Sequence, residues 1–137
     1  MVDARENILT NDSPWVNYDG TGTMREKFML LGTPRFFSKG ALVYQQGEYT
    51  KEFYYLAKGK VKISILGEDG TEKIIAFQEE GTLFGASSPF DKGPYLETAQ
   101  VIAPSKIYVI NVSKILQAIQ MDPSIALCII RACARRI

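Results

Sequence analysis

The hydrophobic pattern of the chain changes its period twice. In residues 24–31, Met24, Phe28 and Leu31 recur at intervals of four and three, which predicts a short amphipathic helix that ends near Gly32. From residue 33 to residue 112, short apolar runs alternate with glycine-containing turns, as in proteins built from several antiparallel strands. Beyond that point the helical period returns. The pattern therefore predicts a mainly β domain with flanking helices.

Within the β region, two stretches carry most of the strand prediction. In "KVKISIL", residues 60–66, Val61, Ile63 and Ile65 alternate with polar residues, which predicts a half-buried strand with these three on one face. The "GEDG" turn that follows predicts a hairpin with "TEKIIAF". The stretch "TAQVIAPSKIYVINV" predicts two strands separated at Pro104. Strands at this spacing indicate a sandwich or a jelly roll.

The C-terminal stretch has a different character. Asp122 and Pro123 form a typical helix start, with the aspartate as N-cap and the proline in the first turn. The following residues, 124–137, are apolar around most of the predicted helix. Such a helix needs a second apolar surface, provided by its own β domain or by a partner chain. Because no glycine, proline or polar tail follows, we expect the helix to continue past Ile137.

Length and charge restrict the function only broadly. The 137 residues suit one domain, and the formal net charge of +1 gives no electrostatic reason to expect nucleic acid or an acidic membrane as a direct partner. We expect residues 1–20 to form an irregular arm, residues 21–121 the jelly-roll domain with its flanking helices, and residues 122–137 the start of a long helix. The sequence shows no signal peptide and no membrane-spanning run, which predicts a cytoplasmic protein.

The absence of histidine excludes several kinds of chemistry. It removes histidine-based catalysis, histidine-ligated zinc and haem, and the metal site of a cupin enzyme, although cupins share the jelly roll. The two cysteines, Cys128 and Cys133, cannot by themselves hold a four-cysteine cluster, and we interpret both as small buried residues, with a redox role as the alternative. The sequence thus predicts a protein that is not an enzyme and has no metal or other cofactor.

Five segments resemble a known family in their order and spacing. They are "QQGE" at 45–48, "FYYLAKGKVKI" at 53–63, "EDGTEKIIAF" at 68–77, "GTLFG" at 81–85 and "MDPSIALCIIRACARRI" at 121–137. Together they resemble the N-terminal sensor domain of the CRP/FNR family of bacterial transcription regulators and, more broadly, the cyclic-nucleotide-binding domain.

This resemblance implies an antiparallel double-stranded β-helix, or jelly roll, with a short N-terminal helix and the start of a long C-terminal dimerisation helix. It implies a small-molecule effector, a homodimer formed through the helix from Pro123 onward, and no membrane partner. It also implies that DNA is read only by a helix-turn-helix domain beyond Ile137.

In cyclic-nucleotide members of this family, the phosphate-binding cassette opens with Phe-Gly-Glu and closes with Arg-Ser-Ala or Arg-Thr-Ala. Here Phe84 and Gly85 match the opening, but Ala86 replaces the glutamate that binds the ribose. Thr98 matches the end of the cassette, whereas Glu97 occupies the position of the arginine that pairs with the phosphate. The loop is one residue longer than usual. A shift of one residue would place Leu96 or Thr98 at the arginine position, and neither residue is cationic.

A carboxylate in place of the arginine opposes phosphate binding. Two like charges about 4 Å apart repel by about 4 kcal/mol at an effective dielectric constant near 20. We therefore expect the domain to have lost cyclic-nucleotide recognition and to sense a small, mostly apolar or aromatic molecule. The candidate ligand-binding residues are Phe84, Gly85, Ala86, Ser87, Ser88, Tyr95, Glu97 and Thr98, together with Tyr54 or Tyr55.

Two alternatives remain open at this stage. The domain is an interaction module with a degenerate pocket and no ligand, or it is a true cyclic-nucleotide sensor with an atypical cassette. In the second case Glu97 turns outward into solvent, and Lys92, the only basic residue of the loop, partly replaces the arginine.

Overall fold

The structure is a computed structural model that describes residues 23–134. The predicted arm at residues 1–20 and the last three residues of the chain lie outside this range. The elements in chain order are α1 (Met24–Leu31), β1 (Thr33–Phe37), β2 (Leu42–Tyr44), β3 (Glu52–Leu66), β4 (Glu72–Gln78), β5 (Leu83–Phe84), α2 (Ser87–Asp91), β6 (Thr98–Asn111), α3 (Val112–Met121) and α4 (Ser124–Ala134).

Two long antiparallel strands, β3 and β6, organise the sheet. They pair from Glu52 opposite Asn111 to Ser64 opposite Thr98. Strands β1 and β2 pair with β6, and β4 and β5 pair with β3, so that the main strand order is β1-β6-β3-β4. Every pairing is antiparallel. The predicted fold class, mainly β with flanking helices in a jelly-roll arrangement, is confirmed, and the hairpin around "GEDG" is the β3–β4 connection.

The predicted break at Pro104 is wrong, because β6 is one continuous strand through this proline. The pairing with β3 shifts register there, since Lys58 lies opposite Lys106 and Lys60 lies opposite Ala103. Gly59 sits at the same corner, where an added Cβ would come within 2.7 Å of the Ser105 Cα. A bulge lets both strands bend without ending, and it leaves the proline where no amide donor is needed.

The predicted burial of Ile65 is also wrong. Val61 and Ile63 are completely buried, but Ile65 is 37% exposed and Ser64 is buried instead. The register between β3 and β4 shifts between Ile63 and Ser64. Because side chains alternate along a strand, a bulge of one residue exchanges the inner and outer faces beyond it.

Side chains on the two faces of β3 belong to two separate cores. The core inside the β-roll, the roll cluster, contains Tyr44, Tyr54, Leu56, Val61, Ile63, Phe84, Tyr95, Ala99, Val101, Ile107 and Val109. The core between the sheet and the helices, the helix cluster, contains Phe28, Leu31, Phe53, Tyr55, Ala57, Leu83, Ala86, Tyr108, Ile110, Ile115, Ala118, Ile125 and Ile129. The neighbours Tyr54 and Tyr55 therefore face opposite sides of the strand.

Helix α4 docks on the domain along one side. Ile125 and Ile129 are buried in the helix cluster, whereas Leu127 and Ile130 are 48% and 62% exposed. A buried ion pair fixes the start of this helix to α1, because the Lys27 Nζ lies 2.6 Å from the Asp122 Oδ2. Asp122 also accepts a hydrogen bond from the backbone amide of Ser124, as the predicted N-cap should. Within residues 23–134, no helix combines the length and hydropathy needed to cross a bilayer.

Candidate ligand-binding site

The loop from β5 to β6 lies directly on tyrosine rings of the roll cluster. Strand β5 places Phe84 opposite Tyr54. Gly85 follows with φ of +72°, and an added Cβ would lie 2.9 Å from ring atoms of both Tyr44 and Tyr54. Glycine is thus required twice at this position, once by the left-handed backbone and once by the close approach of the rings.

Four aromatic side chains fill the roll beside this loop, and we refer to Tyr44, Tyr54, Phe84 and Tyr95 as the aromatic cluster. The rings of Tyr44 and Tyr95 stack with centroids 3.7 Å apart, and those of Tyr54 and Phe84 lie 5.4 Å apart. All four side chains are buried. The space on which the cassette closes is therefore occupied by protein side chains that pack as a core.

Glu97 points into the roll. Its side chain is 8% exposed, whereas the preceding Leu96 is 73% exposed. The Tyr44 hydroxyl donates a hydrogen bond to the Glu97 Oε1 across 3.1 Å. This burial disagrees with the alternative in which Glu97 is a solvated surface charge. Lys92, the cation invoked in that alternative, is exposed at the C-terminal end of α2.

Tyr95 fixes the loop to the body of the domain. Its hydroxyl lies 2.9 Å from the carbonyl oxygen of Gly85 and 3.2 Å from that of Glu52, so it can donate to either. Burial raises the pKa of Tyr95 well above its ordinary value, and the neighbouring Tyr54 raises it further. The hydroxyl therefore stays protonated and serves as a structural donor.

Two further polar candidates, Ser88 and Thr98, also support the loop. The Ser88 hydroxyl donates to the carbonyl oxygen of Gly93 at 2.6 Å, and the side chain is buried. The Thr98 hydroxyl accepts a hydrogen bond from the backbone amide of Gln46 at 3.0 Å. Ser87 begins α2. The contacts of Ser88 and Thr98 give the hydroxyl groups of these two residues a structural role.

The structure brings only part of the predicted set together. Phe84, Tyr95 and Glu97 converge with Tyr54 in the roll, whereas Ala86 packs in the helix cluster. Tyr55, the other predicted tyrosine, also lies on the helix side. Tyr44 was missed by the sequence analysis; its place directly before "QQGE" was the only available signal.

The described residues form no metal site, and their two cysteines are free thiols. Among the residues that the structure describes, no group of three or more histidine, cysteine, aspartate or glutamate side chains could hold a metal ion. The expectation that both cysteines are buried is wrong, because Cys133 is exposed and Cys128 only half-buried.

Comparison with known proteins identifies the family of this domain. The family profile described as "Cyclic nucleotide-binding domain" matches residues 34–122. The cAMP-activated global transcriptional regulator CRP of Pasteurella multocida is 34% identical over 105 residues, which cover 75% of this chain and 49% of that protein. The chain thus spans about half the length of the curated relatives it matches.

Solved structures share the fold at lower identity. The Thermus thermophilus catabolite activator protein matches with a TM-score of 0.77 and 23% identity, covering 90% of this chain and 58% of the other. Oxidized CprK in complex with o-chlorophenolacetic acid matches with a TM-score of 0.68 and 23% identity, covering 80% and 46%. On the family match and the relatives together, this chain belongs to the cyclic nucleotide-binding domain family and is homologous to the sensor domain of CRP/FNR regulators.

Proposed function

We propose that this chain is the effector-sensing and dimerising domain of a CRP/FNR-like transcription regulator that does not respond to cyclic nucleotides. The observation that carries the proposal is the buried Glu97 carboxylate, which accepts a hydrogen bond from Tyr44 at the cassette position where the family has its phosphate-binding arginine. This carboxylate belongs to the packed interior of the roll, so a ligand phosphate would meet a negative group there.

The energies are large enough to abolish useful affinity. Loss of a buried, charge-paired arginine costs about 2–5 kcal/mol, and each 1.4 kcal/mol weakens binding about tenfold. Repulsion between the phosphate and a carboxylate adds to this cost. A micromolar ligand would become a millimolar one or weaker. The buried rings of the aromatic cluster also fill the roll beside this loop.

The effector that fits this domain is a small, mostly apolar or aromatic molecule. CprK has the same fold and was crystallised with o-chlorophenolacetic acid, so the fold itself is not restricted to nucleotides. Binding would act on the packing of the β-roll against α4 and would shift the population of two arrangements of this helix.

The regulator acts as a homodimer in the cytoplasm. Leu127 and Ile130 leave an apolar side of α4 exposed, which suits a homodimer formed through the helix from Pro123 onward. DNA would be contacted by a C-terminal domain beyond Ile137, at the end of this helix.

The test is a calorimetric titration of the protein with cyclic AMP and cyclic GMP, carried to millimolar concentration. We expect no binding heat and no rise in melting temperature. Micromolar binding that is lost in Lys92→Gln would overturn the proposal in favour of an atypical cassette. If the domain is instead an interaction module without a ligand, no small molecule should change DNA binding by the natural regulator.

A further inference from the structure

A cleft lies on the helix side of β3, away from the loop between β5 and β6. Its volume is about 540 Å³, within the range of small-molecule sites. Helices α1 and α4 form one wall, and β4 with residues 81–83 forms the other. Tyr55 contributes to its lining, whereas Tyr54 on the opposite face of the strand belongs to the aromatic cluster. The cleft is therefore separate from the cassette.

One part of the cleft is lined by apolar side chains. The rings of Phe28 and Tyr55 are stacked, with centroids 5.6 Å apart and planes inclined by 24°. Met24, Leu83 and Ala132 continue this surface. Phe28 and Tyr55 are almost fully buried and form the floor of the cleft, whereas Ile75 and Phe77, which also line it, are 43% and 48% exposed and offer apolar surface to a ligand.

The charged side chains among the described residues of the cleft all have the same sign. Arg25 on α1 and Arg131 on α4 line it from two different helices, and no acidic residue is among the described residues that surround it. Within residues 23–134, no ion pair joins either arginine to a carboxylate. The Arg25 guanidinium interacts with the Tyr55 hydroxyl and opposes the rise in the pKa of Tyr55 that burial causes. Among the described residues, the cleft therefore offers two cations to a ligand and no anion.

We infer that this cleft binds a small organic carboxylate with a flat apolar or aromatic body. The carboxylate lies between Arg25 and Arg131, because guanidinium groups match its planar geometry with paired N–H donors. The body of the ligand packs against Ile75 and Phe77, which are exposed in the cleft. Since the two arginines belong to different helices, the bound carboxylate links α1 to α4 and stabilises one position of α4 on the β-roll.

The experiment uses phenylacetate as the probe and 2-phenylethanol as its uncharged counterpart. Both are titrated into the isotopically labelled protein and followed by amide chemical shifts and by calorimetry. We expect phenylacetate to shift amides in residues 24–31, 75–83 and 128–132, and to bind at least about tenfold more tightly than the alcohol, as loss of a charge-assisted contact requires. Arg25→Gln and Arg131→Gln should each weaken phenylacetate about tenfold. The matched control Lys92→Gln, in the cassette loop, should leave its affinity unchanged.

Several results would overturn the inference. These are no binding of phenylacetate at millimolar concentration, equal affinity for the alcohol, shifts confined to residues 84–98, or affinity unaffected by both arginine substitutions. Displacement of phenylacetate by an equal concentration of inorganic phosphate would overturn the assignment to carboxylates. Cyclic AMP binding that shifts only residues 84–98 would refute the proposed loss of nucleotide recognition and leave the carboxylate cleft standing.

Discussion

The hydroxyl of Tyr44 and the carboxylate of Glu97 lie 3.1 Å apart in the interior of the β-roll, although 53 residues separate them in the sequence. This hydrogen bond connects β2 to the end of the loop that precedes β6. The same tyrosine ring stacks on Tyr95 two residues earlier in that loop. The Glu97 carboxylate is therefore part of the packing that holds the loop in place.

The first prediction concerns this bond. Tyr44→Phe removes the donor and should lower the free energy of unfolding by about 1.5–3 kcal/mol, the usual range for a hydrogen bond to a charged group. Glu97→Gln should cost less, because its amide oxygen can still accept the bond. Urea denaturation of the two variants and of the double variant measures the coupling between them. Strictly additive effects would show that the contact contributes no stability.

The second prediction concerns Gly85. In Gly85→Ala the new methyl group would lie 2.9 Å from the rings of Tyr44 and Tyr54, and the residue would keep a φ of +72°. We expect a loss of about 3 kcal/mol or more, since overpacking adds to the backbone strain. Gly70→Ala is the matched control, because Gly70 has φ of +84° and open space around an added Cβ. The control should cost only about 1 kcal/mol, and equal losses would mean that the rings can move aside.

The third prediction concerns the ion pair between α1 and the start of α4. The side chains of Lys27 and Asp122 are only 8% and 13% exposed. Lys27→Met should destabilise the domain by about 3 kcal/mol, because it leaves the carboxylate buried without this cation. Lys60→Met, which removes an exposed pair with Glu79, should cost less than about 1 kcal/mol. Similar thermal unfolding of the two variants would contradict a special role for the buried pair.

The fourth prediction concerns alkaline pH. Burial is the main cause that raises the pKa of Tyr54, Tyr55 and Tyr95 above the ordinary value. Above about pH 10 these tyrosines lose their protons in the unfolded chain and keep them in the folded one. The contribution of these groups to the free energy of unfolding is thus fully present below that pH and declines as the pH rises further.

Denaturation curves recorded between neutral pH and pH 11 test this expectation. Stability should be level up to about pH 9 and should then fall. Tyr95→Phe should reduce the slope of this decline, although it lowers stability at neutral pH by removing a buried hydrogen bond. A wild-type stability that rises above pH 10 would contradict the raised pKa values.

Much of the fold follows from local pattern. The helix over Met24–Leu31, the hairpin at "GEDG" and the helix after Asp122 and Pro123 were all predictable, because each depends on residues close together in the chain. The family resemblance then supplied the jelly-roll fold with its flanking helices. The assignment of Ala86 and Glu97 to cassette positions rests on the family resemblance and stays a prediction.

The errors in the predicted sheet arose where two strands pair. Alternation predicted that Ile65 is buried, and the proline predicted two strands in place of β6. Each was wrong because a bulge depends on the register with the partner strand, which the sequence of one strand does not contain.

The sequence by itself determined that this chain is a β-roll between helices, with glycine-containing turns between its strands. It also determined that no arginine stands at the cassette position. Only the tertiary structure decided that Glu97 turns inward to meet Tyr44, and that neighbouring tyrosines face a filled roll on one side and an open cleft on the other. These relationships join residues from distant strands and helices. They depend on how the long strands bend and how the helices pack, which no local pattern of hydrophobic and polar residues specifies.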